Sequence, residues 1–279
     1  MINLKGADST THRNTKFASV KNSNLLPDPG KEKPHSSTFD NQLIELESVD
    51  STNNYAMARI HAGLATDGLV CLAHHQWAGK GQRGKSWHSE PGQNLNMSLV
   101  IEPAPLDLSR QFLFSAAVSL GILDFVSVFE GKNWAIKWPN DIYWNDRKAA
   151  GILIESIILG KNWPFAVVGI GMNLNQESFP SEIPNAISLK QITGRDHEPV
   201  QFARELVPSI QQRIRLLREN PDQILRNFNE FLYKKNKPVA VKKGNERFIT
   251  HLTGVDSMGA LLTDMGSFAH GEAQLIIGG

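Results

Sequence analysis

The stretch between residues 134 and 175 constrains the fold most. It holds three β-rich runs, "WAIKWPNDIYW" (134–144), "RKAAGILIESIIL" (147–159) and "PFAVVGIGMNLN" (164–175), with two and then four residues between them. Parallel neighbours need a crossover of a dozen residues or more, and no such length is available here. Antiparallel strands joined by short turns are expected, not βαβ units. Upstream, "QLIELESV" (42–49), "GLVCLAHHQ" (68–76) and "LNMSLVIEP" (95–103) read as further strands, the last ended by proline.

Helical periodicity appears in four places. "DSTNNYAMARIHAG" (50–63) has Asp50 or Ser51 as N-cap and Gly63 as its stop. Residues 106–131 carry the longest helical pattern, apolar on most faces and so expected to be buried. Residues 201–220 and 221–236 form two more, with Pro208 a possible kink. From about Lys237, short strands alternate with glycine turns, the pattern of a small β-barrel. The expected class is α+β: a mixed, mainly antiparallel sheet flanked by helices, followed by a small β domain. The expected divisions are a polar, disordered extension over 1–40, a catalytic domain over 41–235 and the β domain over 236–279.

Charge and composition exclude several classes. Twenty-nine Lys+Arg oppose 28 Asp+Glu, a net charge of +1, so no nucleic-acid partner is expected. No run has the length and apolarity of a membrane span, and residues 1–40 lack a signal-peptide core. A soluble, cytoplasmic protein is expected. Cys71 is the single cysteine and lies in the apolar run "GLVCLA", so it reads as a core residue and not a nucleophile.

The loop "AGKGQRGKSW" (78–87) matches two phosphate-binding patterns at once. Gly79 to Ser86 fits G-x-x-x-x-G-K-[ST], and Gly79, Gly81 and Gly84 fit G-x-G-x-x-G. Both patterns work by leading straight into a helix whose N-terminus meets the phosphates. Here "SWHSEPGQN" follows, with Pro91 and Gly92 where that helix should run. Neither pattern has its context. What remains is a flexible loop whose glycines allow close backbone approach, with Lys80, Arg83 and Lys85 supplying positive charge. Such a loop suits an anionic ligand that is enclosed and later released.

Other segments add to it. "KWPND" (137–141) puts Lys137 at a strand end before a proline turn, and "KAAGILIES" (148–156) and "VVGIGMNLN" (167–175) put glycines inside strands. Glycine weakens a strand unless something must approach its backbone. His74 and His75 are adjacent on a strand and point to opposite faces, which argues against a metal site. Trp134, Trp138 and Trp144 read as core or pocket wall. Asp141 reads as a turn-stabilising carboxylate before a general base. Arg213, Arg215 and Arg218 read as a solvated helix face.

In order along the chain, "STNNYA", "HHQWAGKGQRGKSW", "KWPNDIYW", "RKAAGILIE", "VVGIGMNLN" and the β-rich tail resemble the biotin–protein ligases. The resemblance covers roughly residues 42–279 and points to the type lacking an N-terminal DNA-binding domain. It implies a class II synthetase-like catalytic domain with an SH3-like C-terminal barrel. It implies that biotin and ATP, with magnesium, form biotinyl-5′-AMP, and that biotin passes to one lysine of a biotin carboxyl carrier domain. By the same resemblance, Ser51, Thr52, Asn53, Gln76, Lys80, Gly81, Gln82, Lys137, Gly151, Ile152 and Leu153 bind biotin. Gly79, Gly84, Lys85, Trp87, Lys137, Asn140 and Asn173 serve the nucleotide. Lys137, Arg83 and Lys85 stabilise phosphoryl charge as catalytic residues, and no protein metal ligand is implied. The loop departs from the arginine-rich G-R-G-R-x-G-R usual in the family, since Lys80, Gln82 and Lys85 stand where arginines are common. A monomer or a homodimer is open. So are a lipoate–protein ligase, which has the same catalytic fold, and a biotin-binding regulator.

Overall fold

The computed structural model describes residue 39, residues 42–130 and residues 133–276. The extension expected over 1–40 lies outside the described residues except for Phe39. The first sheet has seven strands: β1 (Leu43–Val49), β2 (Val70–Gln76), β3 (Asn94–Ile101), β4 (Trp134–Lys137), β5 (Asp141–Trp144), β6 (Arg147–Leu159) and β7 (Asn162–Asn173). Their order is β1-β2-β3-β7-β6-β5-β4. Only β1 and β2 run parallel, and helix α1 (Thr52–His61) makes the crossover between them. The three runs from 134 to 175 form antiparallel neighbours as the short turns demand.

Alternation along the strands gives the sheet two unlike faces. Val70, Leu72, Leu95, Met97, Leu99, Ile152, Val168, Ile170 and Met172 belong to the larger core. That core is completed by α2 (Gln111–Val126), α4 (Pro199–Glu219) and α5 (Pro221–Glu230), the short α3 (Leu189–Thr193) contributing Leu189. Ile44, Leu46, Cys71, Ala73, Val100 and Val167 face the other way and pack with Tyr55 and Ala56 of α1. Cys71 is thus a buried core residue.

The helix expected over 106–131 is shorter, since a 3₁₀ turn at Leu108–Arg110, capped by Asp107, precedes α2. The longest helix is α4, whose hydrogen-bonded run continues past Pro208. The stretch Leu108–Val126 is long and apolar enough to cross a membrane, but 61% of it is buried in this fold against the sheet, α4 and α5. Arginines on α4 are not simply solvated. Arg213 makes a bidentate pair with Asp124 of α2, at 2.5 and 2.8 Å, and Arg218 donates to the Glu102 carbonyl at 2.7 Å.

The C-terminal sheet comprises β8 (Pro238–Lys243), β9 (Glu246–Val255), β10 (Leu261–Thr263), β11 (Gly266–Phe268) and β12 (Gln274–Ile276). Its order is β11-β10-β9-β8-β12, and among the described residues its edges, β11 and β12, do not pair. The expected barrel is met as an open five-stranded antiparallel sheet, because three of its strands are only three residues long and too short to wrap round and close. Its apolar face, with Val239, Val241, Leu252, Val255 and Leu261, continues the larger core. Asn229 of α5 stitches the two units together. Its Nδ2 donates to the Val255 carbonyl at 2.8 Å, and its Oδ1 accepts from the Val255 N–H at 2.7 Å.

Candidate functional site

The α1 face of the first sheet turns polar toward the carboxyl end of β2. One register row crosses five strands there. Asn96 pairs Gly171, Gly171 pairs Gly151, Gly151 pairs Asp141, and Asp141 pairs Lys137. A second row runs from Cys71 through Ser98 and Gly169 to Leu153. The glycines have a steric reason. A Cβ on Gly171 would overlap the Trp87 indole, and one on Gly169 would overlap the Asn53 amide. A cavity of about 640 Å³ lies over these rows.

The start of α1 and the end of β2 form one side of it. Ser51 is the helix N-cap in position, but its hydroxyl makes no capping bond and remains available to the cavity. Gln76 Oε1 accepts from the Thr52 N–H at 2.8 Å and lies 3.1 Å from Thr52 Oγ1. Ser98 Oγ is 2.8 Å from Thr52 Oγ1 and 2.6 Å from Asn53 Oδ1. Asn96 Oδ1 accepts from Gln76 Nε2 at 3.3 Å and from Trp87 Nε1 at 3.2 Å.

The glycine loop forms the roof. It is a tight hairpin, with an antiparallel bridge from Lys80 to Ser86 and Trp87 N–H donating to the Gly79 carbonyl at 2.9 Å. A 3₁₀ turn, Gln82–Gly84, makes the tip, with Arg83 at φ 57° and Gly84 at φ 73°. No helix follows the loop; β3 does, which disposes of both phosphate-loop patterns. Gly79 and Gly84 do not face the main cavity and border the hollow behind the loop. Gly79 is needed for loop closure, because a Cβ there would stand 2.5 Å from the Trp87 carbonyl oxygen.

The opposite wall is cationic. Lys137 is buried at the end of β4, and its ammonium lies 5.7 Å from the Tyr143 ring centroid. Burial pushes that ammonium below the ordinary lysine range; Asp141 opposes the shift, and Lys148 and Lys85 add to it. The Asp141 carboxylate makes no hydrogen bond to the proline turn among the described residues. It pairs with Lys148 at 2.7 Å. Asn140 holds the turn, donating to the Ile152 carbonyl while the Ile152 N–H returns to the Asn140 carbonyl at 3.1 Å. Asn173 donates to the Ile187 carbonyl at 3.2 Å. Trp138 closes the end of the site, its indole N–H donating to the Gly259 carbonyl at 3.0 Å, while Trp134 packs in the core.

The cavity therefore gathers Ser51, Thr52, Asn53, Gln76, Lys80, Gly81, Gln82, Arg83, Lys85, Trp87, Lys137, Asn140, Gly151, Ile152, Leu153 and Asn173. Ile152 borders it although its side chain belongs to the core. Sequence reasoning flagged Gly169 and Gly171 as strand glycines open to close approach, but missed Lys148 and Tyr143, and from the C-terminal sheet Lys242 and Arg247. Lys148 was hidden by a β-bulge. Tyr143 pairs Lys148 while Ile142 pairs Ala150, so Ala149 is extra. Ala149 and Ala150 both face the core, and Lys148 falls on the same face as Gly151, against simple alternation. His74 pairs with Glu45 at 2.7 Å, and His75 Nδ1 lies 3.3 Å from Ser48 Oγ. Among the described residues no group of three or more His, Cys, Asp or Glu could hold a metal ion.

Residues 45–173 match the sequence profile of the biotin/lipoate A/B protein ligase family. A biotin–[acetyl-CoA-carboxylase] ligase of Paracoccus denitrificans is 31% identical over 223 residues, 78% of this chain and 92% of that protein. The bifunctional ligase/repressor BirA of Escherichia coli K12 is 30% identical over 226 residues, 78% of this chain and 68% of that protein. Among solved structures, the biotin protein ligase of Aquifex aeolicus in complex with biotin and ATP superposes with a TM-score of 0.71 at 25% identity. That match covers 85% of this chain and 99% of the other.

Proposed function

This chain belongs to the biotin/lipoate A/B protein ligase family, and from that premise we propose that it is a biotin–protein ligase that forms biotinyl-5′-AMP and transfers biotin to a carrier-domain lysine. The carrying observation is the polarity of the cavity. Uncharged hydrogen-bonding groups of Thr52, Asn53 and Gln76 stand at one end, and Lys137 and Lys148 at the other. A ligand with a neutral polar head and an anionic tail matches that arrangement. Biotin has both. The dithiolane of lipoate offers no N–H to such amide and hydroxyl groups, so biotin is the better reading than lipoate.

The chemistry needs two anions to meet. A biotin carboxylate oxygen attacks the α-phosphorus of ATP, the bond to the β-phosphate breaks, and pyrophosphate leaves. Lys137, Lys148, Arg83 and Lys85 offset the repulsion and stabilise charge on the phosphoryl oxygens as it builds. In the second step an acceptor lysine amine attacks the acyl carbon, an amide forms, AMP leaves and the amine proton is lost to solvent. Magnesium supplies charge neutralisation of the nucleotide when bound. Asn173, whose Nδ2 is engaged with the Ile187 carbonyl, would offer its Oδ1 to such an ion, while Asp141 is engaged with Lys148. The loop closes over the mixed anhydride to keep water out and opens for the acceptor.

We read the first sheet with its helices as a class II synthetase-like catalytic domain over 41–235, and the C-terminal sheet as an SH3-like module over 236–279. The protein acts in the cytoplasm, on the biotin carboxyl carrier domain of a carboxylase, as a monomer or homodimer; sedimentation with and without biotin distinguishes these states. The deciding experiment mixes the protein with biotin, ATP and magnesium, and then with a carrier domain, and follows both products by mass spectrometry. Biotinyl-5′-AMP and a biotinylated carrier are expected. Activation of lipoate alone would replace the substrate, and activation of neither acid would overturn the ligase reading.

A further inference from the structure

A carboxylate is an odd neighbour for a site that receives two anions, yet Glu155 borders the hollow behind the glycine loop, next to the main cavity. It lies on β6 at the spacing of Gly151 and Leu153, and two other elements converge on it. Its Oε2 accepts from Asn53 Nδ2 of α1 at 2.7 Å, and its Oε1 lies 4.0 Å from the Lys80 ammonium of the loop. Lys80 also donates to Asn54 Oδ1, and Asn54 donates to Asp50 just before α1. Among the described residues this is where the loop base is tied by charge to the helix and sheet beneath it. An ionised carboxylate only accepts hydrogen bonds, so Glu155 also fixes which way Asn53 points. Asn53 must offer Nδ2 to Glu155, which leaves Oδ1 for Ser98 Oγ at 2.6 Å.

We propose that Glu155 is a positioning residue that holds the glycine loop closed through Lys80 and sets the Asn53 amide, without touching substrate. Its location answers the electrostatic objection. Glu155 does not line the main cavity that holds Lys137 and Lys148; the loop cations Arg83 and Lys85 border both hollows, and the carboxylate's own partners are the Asn53 amide and Lys80. The Glu155 and Lys80 side chains are 33% and 43% exposed, so water and salt screen the pair and its effect is modest.

Two readouts on the full-length chain test this, the first independent of any activity. Arg83 and Lys85 are exposed, but trypsin needs an extended segment, so cleavage there follows the population in which the Lys80–Ser86 hairpin has come undone. Glu155→Gln can still accept from Asn53 through its amide oxygen but carries no charge for Lys80. It is expected to raise cleavage at Arg83 and Lys85 about three- to fivefold, the scale of an exposed ion pair. High salt should bring the natural protein to the same rate. In a Lys80→Met background, Glu155→Gln should add nothing. Unchanged cleavage in Glu155→Gln overturns the inference, as does a full effect that persists without Lys80. The second readout rests on the ligase reading: bound adenylate should leave Glu155→Gln about three- to fivefold faster, with the KM for biotin within about twofold. A natural protein that makes no adenylate would sink the ligase reading alone, and the proteolysis result would still decide the role of Glu155.

Discussion

At the scale of single residues, the lysine wall sets how the enzyme responds to pH. Burial depresses the Lys137 ammonium, so its folded pKa lies below the unfolded one. The charged form is therefore penalised in the empty fold, and the proton is lost earlier on the alkaline side. Bound anions favour the ammonium and push its pKa back up. Since kcat/KM reports the free enzyme and kcat the complex, the alkaline limb of kcat/KM for adenylation is expected at lower pH than the limb of kcat. Coincident limbs in the two profiles would remove Lys137 from contact with the substrates. Lys137→Ala should nearly abolish adenylate formation. In the loop, Gln82→Arg restores a planar, bidentate donor and is expected to lengthen the lifetime of bound adenylate, read by dissociation in a filter or fluorescence assay.

At the scale of elements, helix crossing distances and strand register carry the site. Gly121 of α2 meets the α4 backbone so closely that a Cβ would stand 2.6 Å from Ile210 Cα. Gly121→Val should force the helices apart, cost about 2–3 kcal/mol and lower Tm by roughly 4–10 °C by calorimetry. The strand pattern, the hairpins and the helix starts were legible because period and turn chemistry act locally. The row of site residues was only half legible. Gly151 and Lys137 stand out in their motifs and the hairpins are local, but the exact register that joins them through Asp141 is set by the bulge between β5 and β6. Lys148 was invisible because the bulge at Ala149 breaks the period on which strand reading rests. Arg213 looked like a surface charge because nothing local to α4 reveals that Asp124, 89 residues earlier, comes alongside it.

At the scale of the whole molecule, the two sheets share one continuous core, and Asn229 and Trp138 tie them at separate points. Asn229→Ala leaves the Val255 N–H and carbonyl without their side-chain partners. It is expected to destabilise the protein by about 1–3 kcal/mol in urea unfolding and to loosen the C-terminal sheet first, seen as earlier hydrogen exchange in β9 and β10. The end of the chain looked like a separate barrel because its short strands and glycine turns resemble one; its apolar positions give no hint that they join the larger core beside α5. Part of the cavity wall comes from Lys242, Arg247 and residues 273–276. All seven strands of the first sheet lie before residue 174. During synthesis the floor, the roof loop and the lysine wall therefore emerge from the ribosome well before the last wall does. A nascent chain has an open, unfinished chamber until β12 is laid down.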